Sequence, residues 1–94
     1  MITSFQPTAE LTAAVSKYGQ ELINMVKAKY PQARFIGPYY WPGEDMWLID
    51  AYFDIAEDFE LSERLAHHEN DILLESDILL GTLCMPMEYW QQRN

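Results

Sequence analysis

The chain has 94 residues, 49% of them hydrophobic, with 6 Lys and Arg against 15 Asp and Glu and a net charge of −9. A chain of this size forms one domain, here residues 1–94, whose core removes roughly 60 to 65% of the unfolded surface from water. The acidic balance repels phosphate backbones and anionic headgroups, which argues against nucleic acid and membrane surfaces; it favours plain solubility, the commoner reason for such a charge, or a basic partner, without choosing between them.

The first element in chain order is a helix. Thr8 offers its first turn a capping hydroxyl, and Leu11, Val15, Tyr18, Leu22, Met25 and Val26 recur at spacings of three and four, a stripe that faces a core. Tyr30-Pro31 stops it, because proline has no amide hydrogen and disfavours helical geometry in the residue before it. Two segments rich in aromatic and β-branched residues follow, 33–41 and 46–55, joined by WPGE at 41–44 with Pro42 and Gly43 at the central turn positions. This predicts a β-hairpin. In its second strand Trp47, Ile49, Ala51, Phe53 and Ile55 share a buried face, and Leu48, Asp50, Tyr52 and Asp54 share a partly wetted one. Gly37-Pro38 inside the first strand removes a ladder donor, which places that strand at an edge or a bulge.

A second helix is expected over 57–75, with Leu61, Leu65, His68 and Ile72 on one stripe and acidic residues in the first turn, where the helix dipole favours them. Ser76-Asp77 gives a short exit. The segment 78–85 is apolar on both faces, Ile78, Leu80 and Cys84 against Leu79, Leu83 and Met85, a pattern expected of a strand buried on both sides. The longest nearly apolar run, 78–87, is about half the ~20 residues of a membrane helix and is interrupted by Gly81, Thr82 and Pro86. The order is α-β-β-α-β, an α+β two-layer sandwich whose β-α-β part is expected to be a right-handed crossover with both helices on one sheet face. If residues 2–5 form a strand, the order becomes the ferredoxin-like β-α-β-β-α-β. The face left open is expected to be covered partly by the tail 87–90 and partly by a second copy, which predicts a homodimer.

The stretch ARFIGPYYWPGEDMWLIDAYFD (33–54) followed by FELSERLAHHENDILLESDILLGTLCMPMEYW (59–90) resembles a minimal nucleotidyltransferase domain of the MNT kind in its element order. In that family a strand ends in a Gly-Ser turn and the next carries an Asp-x-Asp pair. Gly37 matches the glycine, but Pro38 replaces the serine and offers neither hydroxyl nor amide to a phosphate. Asp50 matches the second carboxylate, and Leu48 stands at the first. Two-metal phosphoryl transfer needs carboxylates at i and i+2 on a strand; Asp54 is on the same face as Asp50 but roughly 13 Å away at about 3.3 Å per residue. The resemblance therefore implies a degenerate, non-catalytic copy that needs no cofactor. The alternative it implies is a magnesium-dependent nucleotidyltransferase in which Asp50 holds the metal with help from Glu44, Asp45 or a partner chain.

Other chemistry-bearing residues read as structural. His67, His68 and Glu69 are adjacent, and neighbours on a helix point about 100° apart. His68 lies on the apolar stripe as a core-edge histidine with a hydrogen-bond partner; His67 shares a solvated face with Glu60, Glu63, Arg64 and Asp71. Cys84 has no base beside it and reads as inert core packing. With one cysteine, no intramolecular disulfide forms, and the start Met1-Ile2-Thr3-Ser4 has no basic or long apolar region, which together predict a cytoplasmic protein. The aromatics Tyr39, Tyr40 and Trp41, joined across the hairpin by Trp47 and Tyr52, form either cross-strand packing or a protein-interaction surface, the composition being enriched at interfaces. The expectation is a small acidic interaction or regulatory module.

Overall fold

The structure is a computed structural model and describes residues 8–54 and 58–93, the side chain of Arg93 excepted. Among the described residues it is an α+β domain of three helices and one three-stranded sheet. The elements are α1 (Ala9–Lys29), β1 (Arg34–Trp41), β2 (Met46–Phe53), α2 (Phe59–Ser76), β3 (Leu80–Pro86) and α3 (Met87–Arg93). Residues 2–5, on which the ferredoxin-like alternative rests, and Ile55 lie outside the described residues.

Both long helices begin at caps that satisfy first-turn amides. Thr8 Oγ1 accepts from the Leu11 amide at 3.0 Å, and Asp58 Oδ1 accepts from that of Leu61 at 2.9 Å. The latter sets the start of α2 one to two residues later than the acidic run at 57 suggests. α2 is capped by Asp77, whose amide makes the last helical bond, to the Leu73 carbonyl at 2.8 Å, and whose left-handed backbone (φ 62) turns the chain out of the helix. Val15, Leu22 and Val26 of α1 and Leu61, Leu65 and Ile72 of α2 meet Ile49, Ala51 and Phe53 of β2 in one buried cluster. The two helices are therefore on the same sheet face, as expected. They run antiparallel: Lys29 at the end of α1 pairs with Asp58 at the start of α2, and Glu21 with His68 near the middle of both.

Among the described residues the sheet order is β1-β2-β3, with β1 antiparallel and β3 parallel to β2, so both outer strands are edges of the described sheet. This corrects the expectation that β3 is buried on both sides. Leu80 is buried, but Leu83 is 46% exposed, and Leu79 and Cys84 are exposed. Cys84 is thus not core. Partial desolvation, then the Glu69 and Asp58 carboxylates, raise its thiol pKa and disfavour the reactive thiolate. The hairpin turn is also one residue later than expected: the Asp45 amide reaches the Pro42 carbonyl at 3.4 Å, so Gly43 and Glu44 are central and Asp45 takes a left-handed backbone, φ 50.

Gly37-Pro38 forms a bulge. Ile36 pairs with Asp50 and Tyr39 with Leu48, so two residues of β1 face the single Ile49 of β2. The Gly37-Pro38 peptide is cis, and Gly37 has φ 103, a conformation that glycine tolerates best. The bulge turns Pro38 onto Gly19, a buried glycine in the middle of α1: a Cβ at Gly19 would lie 2.9 Å from Pro38 Cγ. Gly19→Ala gains about 1 kcal/mol of helix propensity but overpacks a rigid ring, which costs about 1–3 kcal/mol. The expected outcome is a net loss of about 1 kcal/mol, checked by urea unfolding, whereas most Gly→Ala changes inside a helix stabilise.

Candidate interaction face

Strand register assigns each candidate residue to a side of the sheet. Tyr40 pairs with Trp47 and, with it, belongs to the side that carries α1 and α2; their rings meet edge to face at 5.4 Å. Tyr40 Oη donates to Asp45 Oδ1, which raises the tyrosine pKa and draws Asp45 to the helix side. Tyr39, Trp41, Asp50 and Tyr52 belong to the opposite face. The five aromatics therefore divide, two beneath the helices and three on the opposite face.

That opposite face is organised in rows across the strands: Tyr39, Leu48 and Gly81; Ile36, Asp50 and Leu83; Arg34, Tyr52 and Met85. It is drier than the alternation in β2 suggests, because Leu48, Asp50 and Tyr52 are all buried. The reason is cover from two directions. α3 returns over the last row and sets Trp90 edge to face on Tyr52 at 5.5 Å, as expected of the tail. From the row above, Tyr39 leans over Asp50, and its hydroxyl donates to Asp50 Oδ1 at 2.8 Å. The described elements leave the far part of the face uncovered, with Trp41 47% exposed, and Leu83 lies half exposed beside Asp50.

Asp50 is the distinctive group here. It is 8% exposed, the one charged residue buried as a whole among the described residues (the Asp58 side chain is as enclosed but paired with Lys29), and its neighbours across the sheet are Ile36 and Leu83. Its described ion pairs number none: the bridges found join Lys29 to Asp58, His67 to Glu63 and His68 to Glu21. Nor do three or more His, Cys, Asp or Glu converge anywhere among the described residues in a way that would hold a metal ion. Leu48 occupies the position two residues before Asp50 on the same face, and Asp45 is held by Tyr40 on the helix side, so neither joins Asp50.

A second polar cluster lies where α1 ends and α2 begins. Asp58 accepts from Lys29 Nζ at 2.6 Å, Tyr30 Oη at 2.5 Å and the Leu61 amide; together these hold its carboxyl well below the usual range, while Lys29 and Tyr30 are raised. A lowered carboxyl pKa contributes stability that is present above the ordinary value and lost as pH falls through the folded one. Wild type is therefore expected to lose stability below about pH 4, and Asp58→Asn to flatten that acid limb, as measured by thermal melts from pH 7 to pH 2. The raised Lys29 and Tyr30 act at the other end, losing their contribution as pH rises past about 10.

The edges of the sheet are blunted. β1 carries the bulge and Pro38, and on β3 the outward Thr82 amide donates to Glu69 Oε2 of α2 at 3.1 Å, a carboxyl whose pKa burial raises. His68, as expected, sits at the core edge with Nε2 2.8 Å from Glu21 Oε1, and His67 is exposed beside Glu63.

Sequence reasoning did not foresee the Tyr39–Asp50 bond or the exposure of Leu83. The Gly-Pro pair signals a bulge, but only its one-residue offset brings Tyr39 within reach of Asp50. Among the described residues no helix is long and apolar enough to cross a membrane. Fold and face together define a small α+β domain with one half-covered apolar sheet face. Comparison with protein-family models, with curated proteins and with solved structures finds no match.

Proposed function

We propose that this chain is a non-catalytic protein-interaction module, a degenerate relative of minimal nucleotidyltransferase domains, that engages its partner through the sheet face opposite α1 and α2. One observation carries the reading: two half-exposed apolar side chains, Leu83 beside it and Trp41 two rows away, share with a buried, hydrogen-bonded carboxylate a face that α3 covers only in part. Tryptophan and flat apolar surface around a desolvated polar group is the composition of an interface centre. The blunted edges favour the face over strand addition as the route of contact.

The enzyme alternative has little to work with. Phosphoryl transfer relies on metal ions and positioned donors, and among the described residues Asp50 belongs to no group of three metal-ligating side chains, while Pro38 supplies no donor. Titration of isotope-labelled protein with magnesium and ATP is the test, followed at the amides of Gly37, Glu44, Asp45 and Asp50. The module reading expects no saturable shift at millimolar ligand. Saturable shifts confined to those residues would overturn it.

A further inference from the structure

Asp50 breaks a general rule of protein interiors. A carboxylate taken out of water is costly unless a cation and several hydrogen bonds replace its hydration. Asp50 is more than nine-tenths buried, yet its described support is a single neutral hydroxyl, Tyr39 Oη on Oδ1. Leu83 and Ile36 wall it on either side, and among the described residues no Lys, Arg or His comes within ion-pair distance. Neither carboxylate oxygen is both sealed from solvent and unpartnered: Oδ1 holds the Tyr39 hydroxyl, and Oδ2 keeps an opening through which a cation from outside can reach it.

We propose that Asp50 is the receptor for an arginine or lysine side chain carried by a partner protein that docks on this face. The inference rests on the interaction-module reading above and names the chemistry of the partner. Three observations converge on it. The carboxylate belongs to the one charged residue buried as a whole among the described residues, has no described cation beside it as the enclosed Asp58 has, and lies on the partly uncovered sheet face rather than under the helices. Its surroundings are aromatic and aliphatic, Tyr39 on one side and Ile36 and Leu83 on the others, the setting in which a planar guanidinium pairs with a carboxylate at reduced dielectric. The chain as a whole carries −9, so a basic partner is steered toward it, and the pair then forms in a low-dielectric setting. A second copy of the chain is the weaker occupant. It can offer Arg34, which lies level with Tyr52 at the margin of this face, but it brings the same net charge of −9.

The test begins with a random-peptide display selection on the intact protein. Enriched peptides are synthesised and their affinities measured for wild type, Leu83→Glu and Asp50→Asn. The expected result is a consensus with a fixed arginine or lysine, affinity lost at least about tenfold in Asp50→Asn, and the same loss when arginine is replaced by neutral citrulline. In a double-mutant cycle the two losses should not add, because they remove one pair. Asp50→Asn keeps the shape and the Tyr39 bond, and its thermal melt confirms that it folds. Peptides that lose affinity to Leu83→Glu but carry no basic consensus, or bind Asp50→Asn as well as wild type, would overturn the cation and leave the face as an interface. Peptides indifferent to Leu83→Glu, or none enriched, would overturn both readings. Sedimentation of the free protein as a dimer that Arg34→Glu dissolves would replace the basic partner with a second copy.

Discussion

Gly37→Ala is expected to lower the stability of the domain by about 3 kcal/mol or more. At φ 103 a side chain is strained whatever the space, which costs about 1–2 kcal/mol. Here space is lacking too: the new Cβ would lie 2.6 Å from the Leu48 carbonyl oxygen, and a backbone atom in the central strand cannot move aside without shifting the ladder. Domains of this size are stable by about 5–14 kcal/mol in all, so the loss is a large share and should lower the melting temperature by about 12 °C or more. Calorimetry reads it directly. A change below about 1 kcal/mol would mean that the bulge does not fix the register of β1 on β2.

The second large effect has the opposite sign. Replacing Asp50 and Tyr39 together, Asp50→Leu with Tyr39→Phe, is expected to stabilise the free domain by about 1–3 kcal/mol while removing partner binding. Exchange of both partners of a buried hydrogen bond for apolar groups of similar shape is often neutral or favourable, and here the desolvation of one carboxylate is no longer required. Single Asp50→Leu should gain less, since it leaves the Tyr39 hydroxyl in search of a new acceptor. Urea unfolding of the three proteins checks this. If the double variant is destabilised by more than about 1 kcal/mol, Asp50 is a structural element of the sheet and its burial says nothing about a partner.

Much of the fold is legible in the residues for reasons that can be named. Thr8, the apolar stripe from Leu11 to Val26 and Pro31 delimit α1 within a residue of where it lies, because capping and proline act locally. The alternation in β2 identifies the core face, Ile49, Ala51 and Phe53, since the period of a strand is two. What local pattern cannot carry is the environment beyond the element. The apolar run 78–85 reads as doubly buried, yet β3 is an edge strand whose Leu83 and Cys84 are exposed, and periodicity does not tell a central strand from an edge one. The wetted face expected for β2 fails for a similar reason: α3 and the leaning Tyr39 cover it, and both contacts are tertiary.

The candidate site was half legible. Asp50 and the aromatics of GPYYWPG stand out as residues, but their division between the two sides of the sheet depends on register. A strand without the bulge would set Tyr39 opposite Trp47, on the helix side of the sheet and out of reach of Asp50. The Lys29–Tyr30–Asp58 cluster was not legible at all, because it joins helix ends 29 and 58 that meet only once the two helices pack antiparallel.

The most direct test of the interaction face is photo-crosslinking in the living cell, with benzoylphenylalanine placed singly at Trp41 or Leu83 and, for comparison, at the exposed helix positions Lys17 or Glu63. Discrete adducts from Trp41 and Leu83, absent from Lys17 and Glu63 and lost when Asp50→Asn is added, are the predicted result. Adducts of equal yield from the helix positions, or none from the sheet face, would contradict it.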